Sequence, residues 1–492
     1  MTNAGWLDGA AMDGLRNCFE EEFTAIFIFN LRGNARTQGE LRRREAGNVF
    51  DSGSRAPIAI TILVKDPAAA PAPAEIHYVD IGDYLSREDK LARIADFHSV
   101  LSDNFRASEL IITPNARHDW INQRGDSFDS FIILGDKKDK ANIQTVFCDF
   151  YSKGIMSARD PWCYNFSCVK MTKNINAMID FYNSHSPEDI DETKIVWNRS
   201  VVQNKNRGIK SEFAAAKIVE AMYRPFCCEH FYYDRNWNEM SYQMPKFFPT
   251  GNEANLLICI SGIGGTKDLS VLITDKITDV QFQFNGQCFP LYWYEASAQQ
   301  KFEGFGEKDT NRRDGVTDWI LARARAQYGR LVTKEDIFYY VYGFLHLPAY
   351  RAEFAAELKK SLPRIILVER AEDFWRLKDA GWELAQIHLN YERQPKTEGV
   401  AVEGALEDLS VRKMKLVREG DLVTLVYNSK IKIVGIPARA KEYVVNGRSP
   451  LEWLVERYQI KTDKASGITN DPNLWCAEHG GASSHILRFP GG

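Results

Sequence analysis

Residues 254–294 constrain the fold more than any other stretch of this chain. Four apolar runs, Leu256–Ile260, Ser270–Ile273, Val280–Phe284 and Cys288–Tyr294, alternate there with Gly, Asp and Asn breakers at roughly regular spacing. That is the pattern of short strands joined by turns, and it predicts an antiparallel sheet. Helical periodicity returns over 315–385, and strand character over 421–445. Near the start, Met12, Leu15 and Phe19 share one helical face, Phe23 continues the stripe, and Glu20 to Glu22 face solvent. Ile26 to Phe29 reads as a buried strand and Ile58 to Val64 as a second one. Between them lies a polar loop, Leu31 to Asn48, broken by Gly33, Asn34, Gly39 and Gly47. Asp66 to Ala74 is rich in proline and alanine and marks a boundary or an exposed connection. Ser86 with Asp89 three residues on makes a capping box for a helix running to about Leu101. Residues 105–185 mix strands and helices among many aromatics. The expected fold class is mixed α/β.

Length sets the domain count. At 492 residues the chain exceeds one ordinary core, so two or three domains are expected. Hydrophobic residues make up 44% and charged residues 26%, the balance of a globular protein that avoids the membrane. No apolar run approaches the roughly 20 residues that span a bilayer. The opening residues lack the basic and apolar regions of a signal peptide, so the expected location is the cytoplasm. Nine cysteines are scattered without a C-x-x-C pair, and Cys227, Cys228 and His230 are too cramped for structural zinc. They read as buried or half-buried free thiols. A net charge of −4 does not advertise nucleic-acid binding, yet DNA senses a local basic face rather than the whole-chain sum.

Generic motifs carry little chemistry. Gly262-Ile263-Gly264-Gly265-Thr266-Lys267 lacks the spacing of a phosphate loop and reads as a turn between strands. Gly304-Phe305-Gly306 follows no parallel strand. No nucleophile elbow, H-E-x-x-H or zinc-deaminase pattern occurs.

Longer blocks say more. Ala4 to Lys65 resembles the second half of a gamma-class adenine-N6 methyltransferase. The match consists of a helix at Leu7–Phe19, a strand at Ile26–Phe29, a loop ending in Gly47-Asn48-Val49-Phe50 and a last strand at Ile58–Val64. The run Asn30-Leu31-Arg32-Gly33-Asn34-Ala35-Arg36-Thr37-Gln38-Gly39-Glu40 resembles the Type ISP restriction–modification branch. So do Arg159-Asp160-Pro161-Trp162, Tyr223-Arg224-Pro225-Phe226, Phe338 to Gly343, Tyr443 to Ser449 and Lys461 to Ile468. The chain thus resembles the C-terminal part of a Type ISP enzyme. The glycine-rich S-adenosylmethionine loop and Asn-Pro-Pro-Tyr are absent from the sequence, and Ala482 to Gly492 departs from the family pattern.

The resemblance implies a Rossmann-like methyltransferase tail over 1–75, a connecting region over 76–209 and an α+β target-recognition domain over 210–492. It implies double-stranded DNA as partner, together with nuclease, helicase and methyltransferase segments of a parent polypeptide. S-adenosylmethionine would serve the complete enzyme, and the chain alone is expected to bind no cofactor and to be inactive. A non-catalytic pseudo-methyltransferase remnant, acting as an interaction protein, is the alternative. Phe50 falls at the family position whose ring lies against the flipped base, and as a sequence feature reads equally as a core residue. Arg32, Asn34 and Arg36 could hold phosphates or base edges or simply form a solvated loop face. Arg42, Arg43 and Arg44 form a basic cluster suited to backbone phosphates. Tyr223-Arg224-Pro225-Phe226 reads as a structural brace. In the recognition domain Arg235, Asn236, Asn238 and Lys267 are the polar, turn-adjacent candidates for base contact.

Overall fold

The computed structural model describes residues 1–37, 39–50, 54–264, 268–295, 312–395, 397–405 and 408–479. Two compact units emerge, each with its own sheets. The first comprises Met1–Phe131, Ile263–Leu269 and Arg351–Pro363, and the second the remainder. Residue 75 lies inside a sheet of the first unit and residue 209 inside the second, so neither separates compact units.

The first unit is built on β1 (Thr2–Asn3), α1 (Asp13–Glu22), β2 (Ala25–Arg32), α2 (Gly39–Glu45), β3 (Ile58–Val64), β4 (Glu75–Asp80), α3 (Arg87–Phe97) and β5 (Leu110–Ile112). Its sheet runs β1-β3-β2-β4-β5. β2 lies parallel to β4 and antiparallel to β3, with Ala25 opposite Val64 and Phe29 opposite Ile60. β2 is apolar on both faces because both are covered: Ile26 and Ile28 pack with Leu7, Ile76 and Trp120, while Phe29 and Leu31 pack with Val49, Val79 and Phe105. The strand expected at 58–64 forms with those bounds, and the capping box at Ser86 and Asp89 forms too. The helix it opens ends at Phe97, where His98 turns to φ 50°. Asp66 to Pro73 is an exposed connection between β3 and β4.

The N-terminal helix differs from its expected form. Two short 3-10 turns precede α1, which starts at Asp13 instead of Leu7. Met12 and Leu15 are 42% and 40% exposed, and the residue buried on this helix is Arg16. Its guanidinium donates to the carbonyls of Trp6, Gly9 and His118 and lies 3.5 Å from the Asp119 carboxylate. A hydrophobic count assigns the arginine to solvent. The fold instead buries it, because its Nε and one Nη meet backbone acceptors and the other Nη lies beside the Asp119 carboxylate.

In the second unit the main elements are α4 (Cys168–Ser184), β6 (Ile218–Arg224), β7 (Cys227–Tyr232), β8 (Leu257–Ile260), β9 (Val271–Thr274) and β10 (Gln287–Pro290). They continue with α5 (Lys334–Phe344), α6 (Ala371–Leu389), β11 (Ala401–Gly404), β12 (Lys415–Glu419), β13 (Leu422–Val426), β14 (Ile431–Pro437) and α7 (Pro450–Arg457). The antiparallel sheet expected over 254–294 is present as β9-β8-β10, with Ile258 opposite both Ile273 and Phe289. One expected strand is not: Val280–Phe284 is a turn. Local bonds close it, from the Gln281 N–H to Asp279 Oδ1 and from the Asn285 N–H to the Val280 carbonyl, and the Asn446 amide adds bonds to the Phe282 carbonyl and to Gln283. The helical stretch contains α5 and α6, which cross where Gly343 and Gly381 face each other. A Cβ on Gly381 would lie 2.1 Å from the Tyr339 carbonyl oxygen. β11-β14-β13-β12 form a separate four-stranded sheet over its own core of Val423, Leu425, Ile431, Ile433 and Leu454. Strand character over 421–445 stops at Pro437, beyond which Ala438–Lys441 is a 3-10 turn.

All nine cysteines are free thiols; Cys18 is exposed, which departs from the expected burial, and the other eight are buried or half-buried. Among the described residues no helix is long and apolar enough to cross a membrane.

Candidate nucleic-acid interface

In the first unit the polar loop after β2 closes on itself. Arg32, in the left-handed region at φ 56°, meets Asp80 at 2.6 Å and pairs with Asp83. Burial alone would lower its pKa, but the two carboxylates raise it, so the charge is secured and already spent inside the fold. Asn34 is buried. Its backbone N–H donates to Glu45 at 3.0 Å and its side-chain oxygen accepts from the Arg36 N–H at 3.1 Å, an Asx turn that shapes the loop. Arg36 is exposed.

The triplet on α2 divides. Arg42 donates to the Ala46 carbonyl and Arg44 binds Asp83 at 2.8 Å, and both Arg43 and Arg44 are exposed. The basic run is therefore less available to phosphates than its sequence implies.

Phe50 stands out from a well-anchored turn. It is 46% exposed, its N–H donates to Asn48 Oδ1 at 3.0 Å, and Val49 beside it is buried in the core. The reading of Phe50 as a core side chain does not survive that exposure. Lys90 on α3 fixes the same turn: fully buried, its amine donates to the carbonyls of Glu45 and Gly47 at 2.9 and 2.8 Å. Sequence reasoning passed over Lys90, because a lysine on an amphipathic helix carries no signal that distinguishes a buried anchor from a solvated one.

The second unit carries the remaining candidates. Arg235 is exposed. Asn236 is half-buried, its N–H donating to Asp234 at 2.8 Å. Asn238 is 2% exposed and its amide donates to the carbonyls of Tyr232 and Asp234, so it braces the turn from within. It is not placed to meet a base edge. Lys267 lies outside the described residues.

Two sequence blocks meet in a buried polar knot. Arg224, at the end of β6, binds Asp279 at 2.7 Å, lies 3.6 Å from Asp160 and stacks 3.8 Å over the Tyr223 ring. The Tyr223 hydroxyl donates to Asp160 at 3.0 Å. Burial pushes the Asp279 carboxyl up to about 7, opposed by the Arg224 charge. Arg159 is buried too, donating to the carbonyls of Ser157 and Trp237 and to Asn198. A second buried carboxyl, Glu229 on β7, accepts from Asn470 at 2.8 Å and is pushed up to about 7 by burial. These groups lock elements together, as the structural reading of the Tyr223 block expected. A cavity of about 520 Å³ lies among Phe226, Ile387, Tyr443, Pro450 and Leu451. Another, of about 420 Å³, lies among Glu220, His230, Lys276, Tyr391 and Trp475. Neither is lined by Arg235, Asn236 or Asn238.

Comparison with known proteins places this architecture. The family model described as the Type ISP C-terminal specificity domain matches residues 146–485. No curated protein matches. Among solved structures, a nuclease-deletion mutant of the Type ISP restriction-modification enzyme LlaGI, in complex with a DNA substrate mimic, is 38% identical with a TM-score of 0.83. The match covers 99% of this chain and 37% of that one. The ATP-dependent Type ISP enzyme LlaBIII bound to DNA is 35% identical with a TM-score of 0.86, covering 100% of this chain and 31% of that one. A DrdV–DNA complex is 26% identical with a TM-score of 0.80, covering 99% and 48%. The chain therefore spans between about a third and a half of these relatives.

Proposed function

Because the chain belongs to the Type ISP C-terminal specificity domain family, we propose that its second unit selects the DNA target of a restriction–modification enzyme, and that its first unit is the tail of that enzyme's adenine-N6 methyltransferase. The observation that carries the reading is the likeness over essentially the whole chain to proteins captured on DNA. The first unit supports the methyltransferase assignment. Its sheet is covered on both faces, as in α/β folds, and carries an antiparallel strand, β3, beside β2. β1 pairs with only Ala59 and Ile58, leaving Ile62, Leu63 and Val64 exposed along the rest of β3.

The residues present include neither the glycine-rich loop nor the Asn-Pro-Pro-Tyr motif that would serve S-adenosylmethionine chemistry. At the end of β2, where a loop could cradle a ligand, Arg32, Asp80 and Asp83 are consumed by one another. What the chain offers the reaction is the exposed Phe50 ring, a flat surface for an adenine extruded from the duplex.

Duplex binding tests the reading. The 492-residue chain should bind mixed-sequence duplex DNA weakly, with affinity falling steeply as salt rises, because contacts to phosphates release counterions. Fluorescence anisotropy with a labelled duplex at low ionic strength measures this. Absence of binding there would overturn the proposal.

A further inference from the structure

The sheet β11–β14 carries a concentration of positive charge that the folded chain leaves without partners. Arg412 and Lys413 precede β12, Lys415 opens it, Lys430 lies in the β13–β14 turn and Lys432 follows on β14. All five are exposed. None makes an ion pair within 4 Å among the described residues, whereas three cations farther along are neutralised: Lys441 by Glu452, and Arg448 and Arg457 by Glu456. Four carboxylates stand nearby: Glu419 ends β12 and Asp421 lies in the turn after it, and two more come from outside the hairpin. Asp408 is tied to Ser410 and feels the charges of Lys430 and Arg412, and Glu403 is the register partner of Lys432. They leave an excess of positive charge.

The sheet fixes where that charge points. Lys415 pairs with Val426, and Val426 with Lys432, so the three occupy one row on one face. Ile431, Ile433, Leu425 and Val423 turn to the opposite face and form the core. The two lysines thus sit two strand spacings apart, about 10 Å, on a rigid platform. Asn428 secures the neighbouring turn, its amide donating to the carbonyls of Asp408 and Ser410. Clustered like charges repel one another, and a fold that maintains them without internal partners gains from an external polyanion. The cluster is built from lysine and arginine, groups that neutralise backbone phosphates without reading sequence.

We infer that this basic face docks on the phosphate backbone of duplex DNA, as a contact separate from base reading. The inference rests on the DNA-binding function proposed above and assigns it a surface. The test is a salt titration of labelled mixed-sequence duplex with the full 492-residue chain. It compares wild type, a variant with Arg412, Lys413, Lys415, Lys430 and Lys432 all changed to alanine, a charge-retaining Lys415→Arg/Lys432→Arg variant, and Arg376→Ala as a remote exposed control. The alanine variant should lose about tenfold or more in affinity, equally on unrelated sequences. Its slope of log K against log salt should flatten by about two to four, near 0.9 per lost contact. The arginine variant and the control should keep the wild-type slope. Thermal melts recorded alongside should be unchanged, since all five side chains are exposed. Wild-type binding with an unaltered slope in the alanine variant would overturn the docking face while leaving DNA binding intact. That result would point instead to an acidic protein surface as occupant. Failure of the wild type to bind at all would remove the underlying function as well.

Discussion

Arg224→Ala is expected to destabilise the second unit by about 3–5 kcal/mol, the cost of stranding a buried charge. The side chain is only 13% exposed and its partner Asp279 only 3%. Removing the guanidinium leaves Asp279 without its 2.7 Å partner, Asp160 without a neighbouring cation, and the Tyr223 ring uncovered. Asp279 would respond by keeping its proton, which gives the loss a pH signature. Burial already raises this carboxyl above its unfolded value, and without Arg224 it rises further. A carboxyl with a raised folded pKa contributes stability that is fully present below the unfolded pKa and disappears as pH rises through the folded one. The deficit of the variant relative to wild type should therefore grow between pH 5 and pH 8. Denaturant unfolding followed by tryptophan fluorescence at both pH values measures it. A loss below about 1 kcal/mol, typical of exposed pairs, would show that Arg224 braces nothing.

Phe50→Ala should act in the opposite way, sparing stability and impairing chemistry. The ring contributes little to the core, because nearly half of the residue faces solvent, while Val49, Asn48 and Lys90 fix the turn without it. Melting should shift by no more than the half kcal/mol usual for a surface substitution. Stacking on an extruded base is worth about 1–3 kcal/mol, so adenine methylation by a complete Type ISP polypeptide carrying this change should fall by roughly 5- to 150-fold. A fluorescent adenine analogue at the target position would report poorer extrusion in parallel. Methylation at the wild-type rate would return Phe50 to an exposed turn residue without a role.

Local signals in the sequence carried much of the fold. The run Ile58–Val64 became a strand with those bounds, and the Ser86 box opened a helix where expected, because β-branched runs and capping residues act within a few residues of themselves. Tertiary features were hidden. Arg16 is buried with its Nε on the carbonyl of His118, 102 residues away, and the Val280–Phe284 turn meets the amide of Asn446, more than 160 residues away. The first unit borrows residues 263–269 and 351–363, which no linear boundary reveals.

The candidate site was legible in part. Phe50, read from its motif, is 46% exposed, whereas Arg32 and Asn238, read as polar loop and turn residues, and Arg44, read as part of a basic cluster, are held by partners within the fold. The basic face of β12–β14 was overlooked although its signal is local. Between residues 412 and 432 six lysines and arginines face only Glu419 and Asp421, a balance that the whole-chain charge of −4 conceals. A sliding net charge would have found it.

The central claim is that the second unit chooses the DNA sequence. Exchanging residues 146–485, the span matched by the specificity family, for the corresponding segment of a related complete Type ISP enzyme tests it directly, with methylated adenines mapped by sequencing. A few bidentate contacts, each worth about 1–3 kcal/mol, would suffice to move the target site. The chimera should methylate at a new site set by the grafted segment. A chimera that remains active and keeps the recipient's original site would contradict it.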